Sequence, residues 1–129
     1  MKQASIRSAG LALAITAVVA AGSPAMASGG DVVRSGGCSG SATWKLKAGH
    51  DDRRLQVEGE VDSNRNGQTW RWRILHNGDV AAHGRATTKA PSGSFEVRRL
   101  LVNAKGTDTI SLRARNAASG QVCRGSLRL

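Results

Sequence analysis

The feature that most constrains this chain is one-for-one alternation of apolar and polar side chains in short segments, each ended by a turn signal. Ala42, Trp44, Leu46 and Ala48 alternate with Thr43, Lys45 and Lys47, and Leu55, Val57, Gly59 and Val61 alternate with Arg54, Gln56, Glu58 and Glu60. A period of two places successive side chains on opposite faces of a strand. Trp70, Trp72 and Ile74 then alternate with Arg71 and Arg73, and His76-Asn77-Gly78-Asp79 carries the Asn-Gly centre favoured by two-residue hairpin turns. Val80, Ala82, Gly84 and Ala86 form a fourth strand, and Phe95 and Val97 begin a fifth whose Arg98-Arg99-Leu100-Leu101 run breaks the alternation and points to a bulge. Ile110, Leu112 and Ala114 mark the sixth strand, and Cys123, Gly125, Leu127 and Leu129 the seventh. No stretch has helical periodicity, so the expectation is an all-β, seven-stranded antiparallel sandwich over residues 41–129.

Before that domain, Lys2 and Arg7 precede the apolar run Ala9 to Gly22 and then Ala25-Met26-Ala27. This three-part pattern reads as a signal peptide over residues 1–27, with export to the extracellular space. Residues 28–40 are rich in Gly and Ser and read as a flexible leader. Of 19 basic and 9 acidic residues, the signal removes two bases and no acid, which leaves a net charge of +8. The two cysteines, Cys38 and Cys123, have no CxxC spacing and no clustered His, and an exported chain meets an oxidising compartment. A structural disulfide is expected, closing a long loop whose chain entropy is worth about 4–5 kcal/mol before strain.

The segment Ile110-x-Leu112-x-Ala114-x-Asn116 followed by Gly120 resembles the sixth strand of fibronectin type III and immunoglobulin-like domains. Trp70 stands where such domains place a core Trp on the third strand. Ile110 replaces the usual Tyr of the strand motif, and Val57 and Leu112 occupy the positions of the immunoglobulin disulfide. The layout as a whole, with a Cys before the first strand, a Trp-rich third strand, Ser92 to Arg99, and a Cys in the last strand, resembles small secreted actinobacterial proteins. These resemblances imply an immunoglobulin-like sandwich and export, and assign no activity.

With the sheet membership that resemblance implies, the third, fourth, sixth and seventh strands share one sheet. Alternation then turns Arg71, Arg73, His83, Arg85, Arg113, Arg115, Arg124 and Arg128 outward, with no carboxylate among them. The outward set of the other sheet, Lys45, Lys47, Arg54, Glu58, Glu60, Glu96 and Arg98, mixes signs. Planar guanidinium forks suit phosphate and carboxylate, so an Arg-rich face is a candidate anion-binding surface. Equally, such a face serves as a solvated surface whose long side chains splay apart. Candidate partners are an anionic wall polymer, a lipid headgroup, extracellular nucleic acid or an acidic protein, engaged by a monomer.

Other candidate sites have weaker chemistry. Interleaved Trp70-Arg71-Trp72-Arg73 resembles a nucleic-acid or membrane platform, but on a strand the indoles and guanidiniums point to opposite faces. Asp62-x-Asn64-x-Asn66-Gly67 matches the first half of a calcium loop, yet its twelfth position is Arg73, and a polar turn is the simpler reading. His76 and His83 face each other across a hairpin in principle, without further metal ligands. Glu58 and Glu60 lie on one outward strand face rather than in a cleft. No enzymatic activity, cofactor or metal is expected. The alternative function is an inhibitor or toxin-like protein that inserts Asp62 to Gln68 or Ala117 to Gly120 into another protein.

Overall fold

A computed structural model describes residues 30–129. The signal-peptide assignment, residues 1–27, lies outside the described residues. The described chain is all-β, with strands β1 (Val32–Gly37), β2 (Thr43–Asp51), β3 (Arg54–Asp62), β4 (Thr69–His76), β5 (Asp79–Thr87), β6 (Ser94–Val102), β7 (Thr109–Asn116) and β8 (Val122–Arg128). They form two four-stranded antiparallel sheets, ordered β1-β2-β3-β6 and β5-β4-β7-β8.

Eight strands therefore replace the expected seven, and the extra one comes from the supposed leader. Residues 32–37 pair in register with β2, from Val32 opposite Ala48 to Gly37 opposite Thr43. Backbone pairing holds this strand more than burial does, since most of its side chains are exposed. Its C-terminal end is fixed covalently, because Cys38 forms a disulfide with Cys123 of β8 in the opposite sheet.

Between the sheets lie the residues that the period-two pattern turned inward. Leu46, Ala48, Leu55, Val57, Val61, Phe95 and Val97 come from one sheet, and Trp70, Trp72, Ile74, Ile110, Leu112, Ala114, Cys123 and Leu127 from the other. Full burial of a Val, Leu or Ile side chain contributes about 1.5–3 kcal/mol, so this interior is the main source of stability. Trp70 is fully buried with its ring 6.4 Å from that of Phe95. Both indoles belong to the core, and neither is available on the outer face as a stacking surface.

Two local expectations need correction or refinement. The pairing of β3 with β6 runs without a break from Arg54–Val102 to Asp62–Ser94, so no bulge interrupts Arg98 to Leu101. Instead Arg99, whose parity is inward, stays exposed on the edge strand β6, its guanidinium 4.9 Å from the centre of the Trp72 ring. Cation–π attraction lets a charge occupy a position where alternation calls for an apolar residue. The irregularity lies between Ile74 and Leu75 in the β4–β5 pair, before the Asn77-Gly78 turn. That turn has φ of 51° and 89° at its two central residues, the left-handed values that make Asn-Gly favourable there.

A cationic trough on the outer face of the second sheet

The register of the second sheet decides where its cations stand. Arg71 of β4 lies opposite Arg85 of β5 on one side and Arg115 of β7 on the other, and Arg115 lies opposite Val122 of β8. Two residues along, Arg73 lies opposite His83 and Arg113, and Arg113 lies opposite Arg124. Two rows thus cross the sheet, Arg85–Arg71–Arg115–Val122 and His83–Arg73–Arg113–Arg124. Pleating separates the rows by about 7 Å along the strands, and four strands give each row a length of about 14 Å.

Between these rows are Gly84, Trp72 and Ala114, whose places point into the core, so the strand backbone there forms a floor and the Arg side chains form walls. The result is a trough of about 740 Å³ lined by both rows, by the floor residues and by Gly120 of the β7–β8 turn. Arg71, Arg73, Arg85, Arg113, Arg115 and Arg124 are exposed. None of the six takes part in an ion pair among the described residues. Arg128 has the same outward parity, but it lies opposite Thr109 and is separated from the grid by the Ser111–Ser126 pair. It shares the face without lining the trough.

On the outer face of the first sheet, the same geometry produces a different charge pattern. Lys45 lies opposite Glu60, Lys47 opposite Glu58, and Glu58 opposite Arg98. Arg98 Nε donates to Glu96 Oε1 at 2.9 Å and lies 3.2 Å from Glu58 Oε1. The hydrogen bond to Glu96 and the nearby Glu58 charge push the Arg98 pKa above the ordinary guanidinium value. Each sheet therefore has its own electrostatic character, one with cations beside acids and one with cations beside cations.

The register does not bring His76 and His83 together. His83 lies opposite Arg73 in the cationic row, whereas His76 lies opposite Asp79, three residues further along β4. His76 Nε2 instead donates to Oδ1 of the buried Asp108 at 2.7 Å. The backbone of Asp108 in turn exchanges hydrogen bonds with Leu129. Sequence reasoning missed this pair. Thr109 N donating to Asn77 Oδ1 is part of what joins its two distant segments.

Asp62 to Gln68 is a tied loop. Asp62 Oδ1 accepts from Asn64 N at 2.9 Å, an Asx turn that already engages the carboxylate, and Thr88 Oγ1 accepts from Gln68 N while donating to Arg65 O. Ser63, Arg65 and Gln68 share a depression of about 480 Å³ with Ser119 and Gly120, so the two loops named for insertion lie at the same end of the sandwich. Glu58 and Glu60 are half-buried on the first sheet's outer face, and neither faces an enclosed cleft. Among the described residues, no three His, Cys, Asp or Glu side chains stand close enough to hold a metal ion. Compared with known proteins, the chain matches no family model, no curated protein and no solved structure.

Proposed function

We propose that this chain is a secreted, immunoglobulin-like, non-enzymatic binding domain whose second sheet engages an anionic extracellular partner. The observation that carries the reading is the pair of in-register rows containing six exposed arginines with no carboxylate at any grid position. Supporting the domain type, β2, β3 and β6 share one sheet while β5, β4, β7 and β8 share the other, the partition expected of a fibronectin-like sandwich, with β1 as an added edge strand. The disulfide supports exposure to an oxidising compartment.

Recognition of this kind is charge-driven, so it weakens steeply as salt releases the advantage of displaced counterions. Replacing Arg71, Arg73, Arg113 and Arg115 by Ser removes the central charges while leaving every inward residue in place. The expected outcome is a folded domain, by circular dichroism, that no longer binds an anionic matrix at low salt. Unchanged retention of the variant refutes the reading. A second reading, loop insertion into another protein, draws on the shared end of Asp62–Gln68 and Ala117–Gly120. It is favoured if a pull-down from envelope and medium returns a stoichiometric protein that high salt does not elute.

A further inference from the structure

The shape of the cationic face narrows the kind of anion it takes. We infer that the trough holds a single linear polyphosphodiester of the polyol phosphate type, without bases or lipid tails; this rests on the binding reading above. Three observations carry it. First, the cations stand in two rows that flank a floor of backbone at Gly84, Trp72 and Ala114. A phosphodiester presents its two free oxygens to opposite sides of its own chain, so a chain lying along the trough offers one oxygen to each guanidinium wall. A carboxylate or sulfate pendant from a sugar is carried outside the width of its ring, which makes such a chain too broad for walls that stand about 7 Å apart.

Second, the face has no exposed aromatic side chain. Trp70 and Trp72 are buried beneath it, which removes the base stacking on which single-strand nucleic-acid affinity commonly depends. Third, the face has no apolar group suited to insertion between lipids. Val33, Leu100 and Val102, exposed and apolar, lie on strands of the other sheet, and Val80 follows the hairpin turn outside the trough. Interfacial binding needs an apolar face as well as charge, and a recessed trough meets a flat bilayer with only its rims. A chain can enter where a membrane plane cannot.

The test is titration of the full exported domain with synthetic poly(glycerol phosphate), with phosphatidylglycerol vesicles and with single-stranded DNA, each at matched accessible phosphate. An anionic resin at low salt serves as the reference for the underlying reading. The expected result is half-saturation by poly(glycerol phosphate) at a phosphate concentration at least tenfold below that for vesicles or single-stranded DNA. Six phosphate contacts give a log–log salt slope of about −4 for a flexible single chain. The Arg71, Arg73, Arg113 and Arg115 to Ser variant then loses most of that slope. Resin retention with vesicles or single-stranded DNA binding as well as the polymer, or with none of the three probes bound, overturns the polyol phosphate inference alone. Failure to bind the resin and all three probes overturns the binding reading itself.

Discussion

An arginine grid with no acids should destabilise the domain that carries it, and this cost can be measured apart from any ligand. The in-register like-charge neighbours are Arg71–Arg85, Arg71–Arg115, Arg73–Arg113 and Arg113–Arg124. With guanidiniums splayed to about 8 Å in water, each such pair repels by about 0.5 kcal/mol. Four pairs give about 2 kcal/mol unscreened, reduced to about 1.5 kcal/mol at 10 mM salt and to almost nothing at 1 M. Substituting Gln for Arg71, Arg73, Arg113 and Arg115 removes at least one member of every pair while keeping most of each aliphatic stem over the sheet. The substituted domain should therefore be more stable than the parent at 10 mM salt. For a urea m-value of about 2 kcal/mol/M, its midpoint rises by about 0.7 M. Urea is required because guanidinium chloride would itself screen the charges. A gain at low salt that vanishes in 1 M NaCl supports the calculation. A variant no more stable at 10 mM, or equally stabilised at both salt concentrations, refutes the claim that these cations repel one another.

His83 occupies a row position opposite Arg73. His83→Arg should add a permanent cation to the wall and steepen the salt slope for poly(glycerol phosphate) by about 0.7, whereas His83→Glu should flatten it; equal slopes for the two variants in a salt titration would remove His83 from the contact set. A Cβ at Gly125 would come within 2.2 Å of the Trp44 ring, whereas one at Gly36 would stop at 3.0 Å. Gly125→Ala should lower stability by about 1–3 kcal/mol through overpacking. Gly36→Ala should cost less, with both read by urea denaturation and Trp fluorescence, and equal losses would show that the indole yields equally on both sides.

Much of the fold and the composition of the cationic face were legible because strand parity is a local property. Once Trp70 and Trp72 are placed inward, Arg71 and Arg73 have to face outward, and the same holds for Arg113 and Arg115 around Ala114. What parity cannot supply is register. It placed Arg128 on the right face without showing that Ser111 and Ser126 set it apart from the grid, and it left open whether His76 reaches His83. The strand β1 escaped notice because its Gly- and Ser-rich sequence has little apolar alternation, and pairing with β2 and the Cys38–Cys123 bridge hold it instead. Arg99 breaks the polarity pattern without breaking the strand for a related reason: at the exposed edge, the Trp72 ring accepts a cation where parity calls for an apolar residue. The His76–Asp108 pair needs contact between segments 32 residues apart, which no local pattern encodes.

The contrast between the two outer faces bears most directly on whether the grid is a binding surface or only a soluble one. Solubility is served by charge of either sign. On the first sheet, Lys45–Glu60, Lys47–Glu58 and Glu58–Arg98 place attraction across neighbouring strands, with only Glu60–Glu96 as a like-charge acidic pair. On the second, an acid at Arg71 or Arg113 alone would turn two repulsive neighbours into attractive ones. A surface whose only task is to meet water gains nothing from forgoing that exchange at every grid position. A surface that receives a polyanion does gain, because each acid added to the walls would repel the ligand and neutralise a fork that holds it. On the binding reading, the missing negative charge is supplied by the partner, and occupation of the trough relieves the repulsion between its walls. Ligand should therefore stabilise the folded domain both through mass action and through the loss of this internal repulsion. Both contributions fade in the Gln variant, because the substitutions that remove the repulsion also remove the forks that hold the ligand.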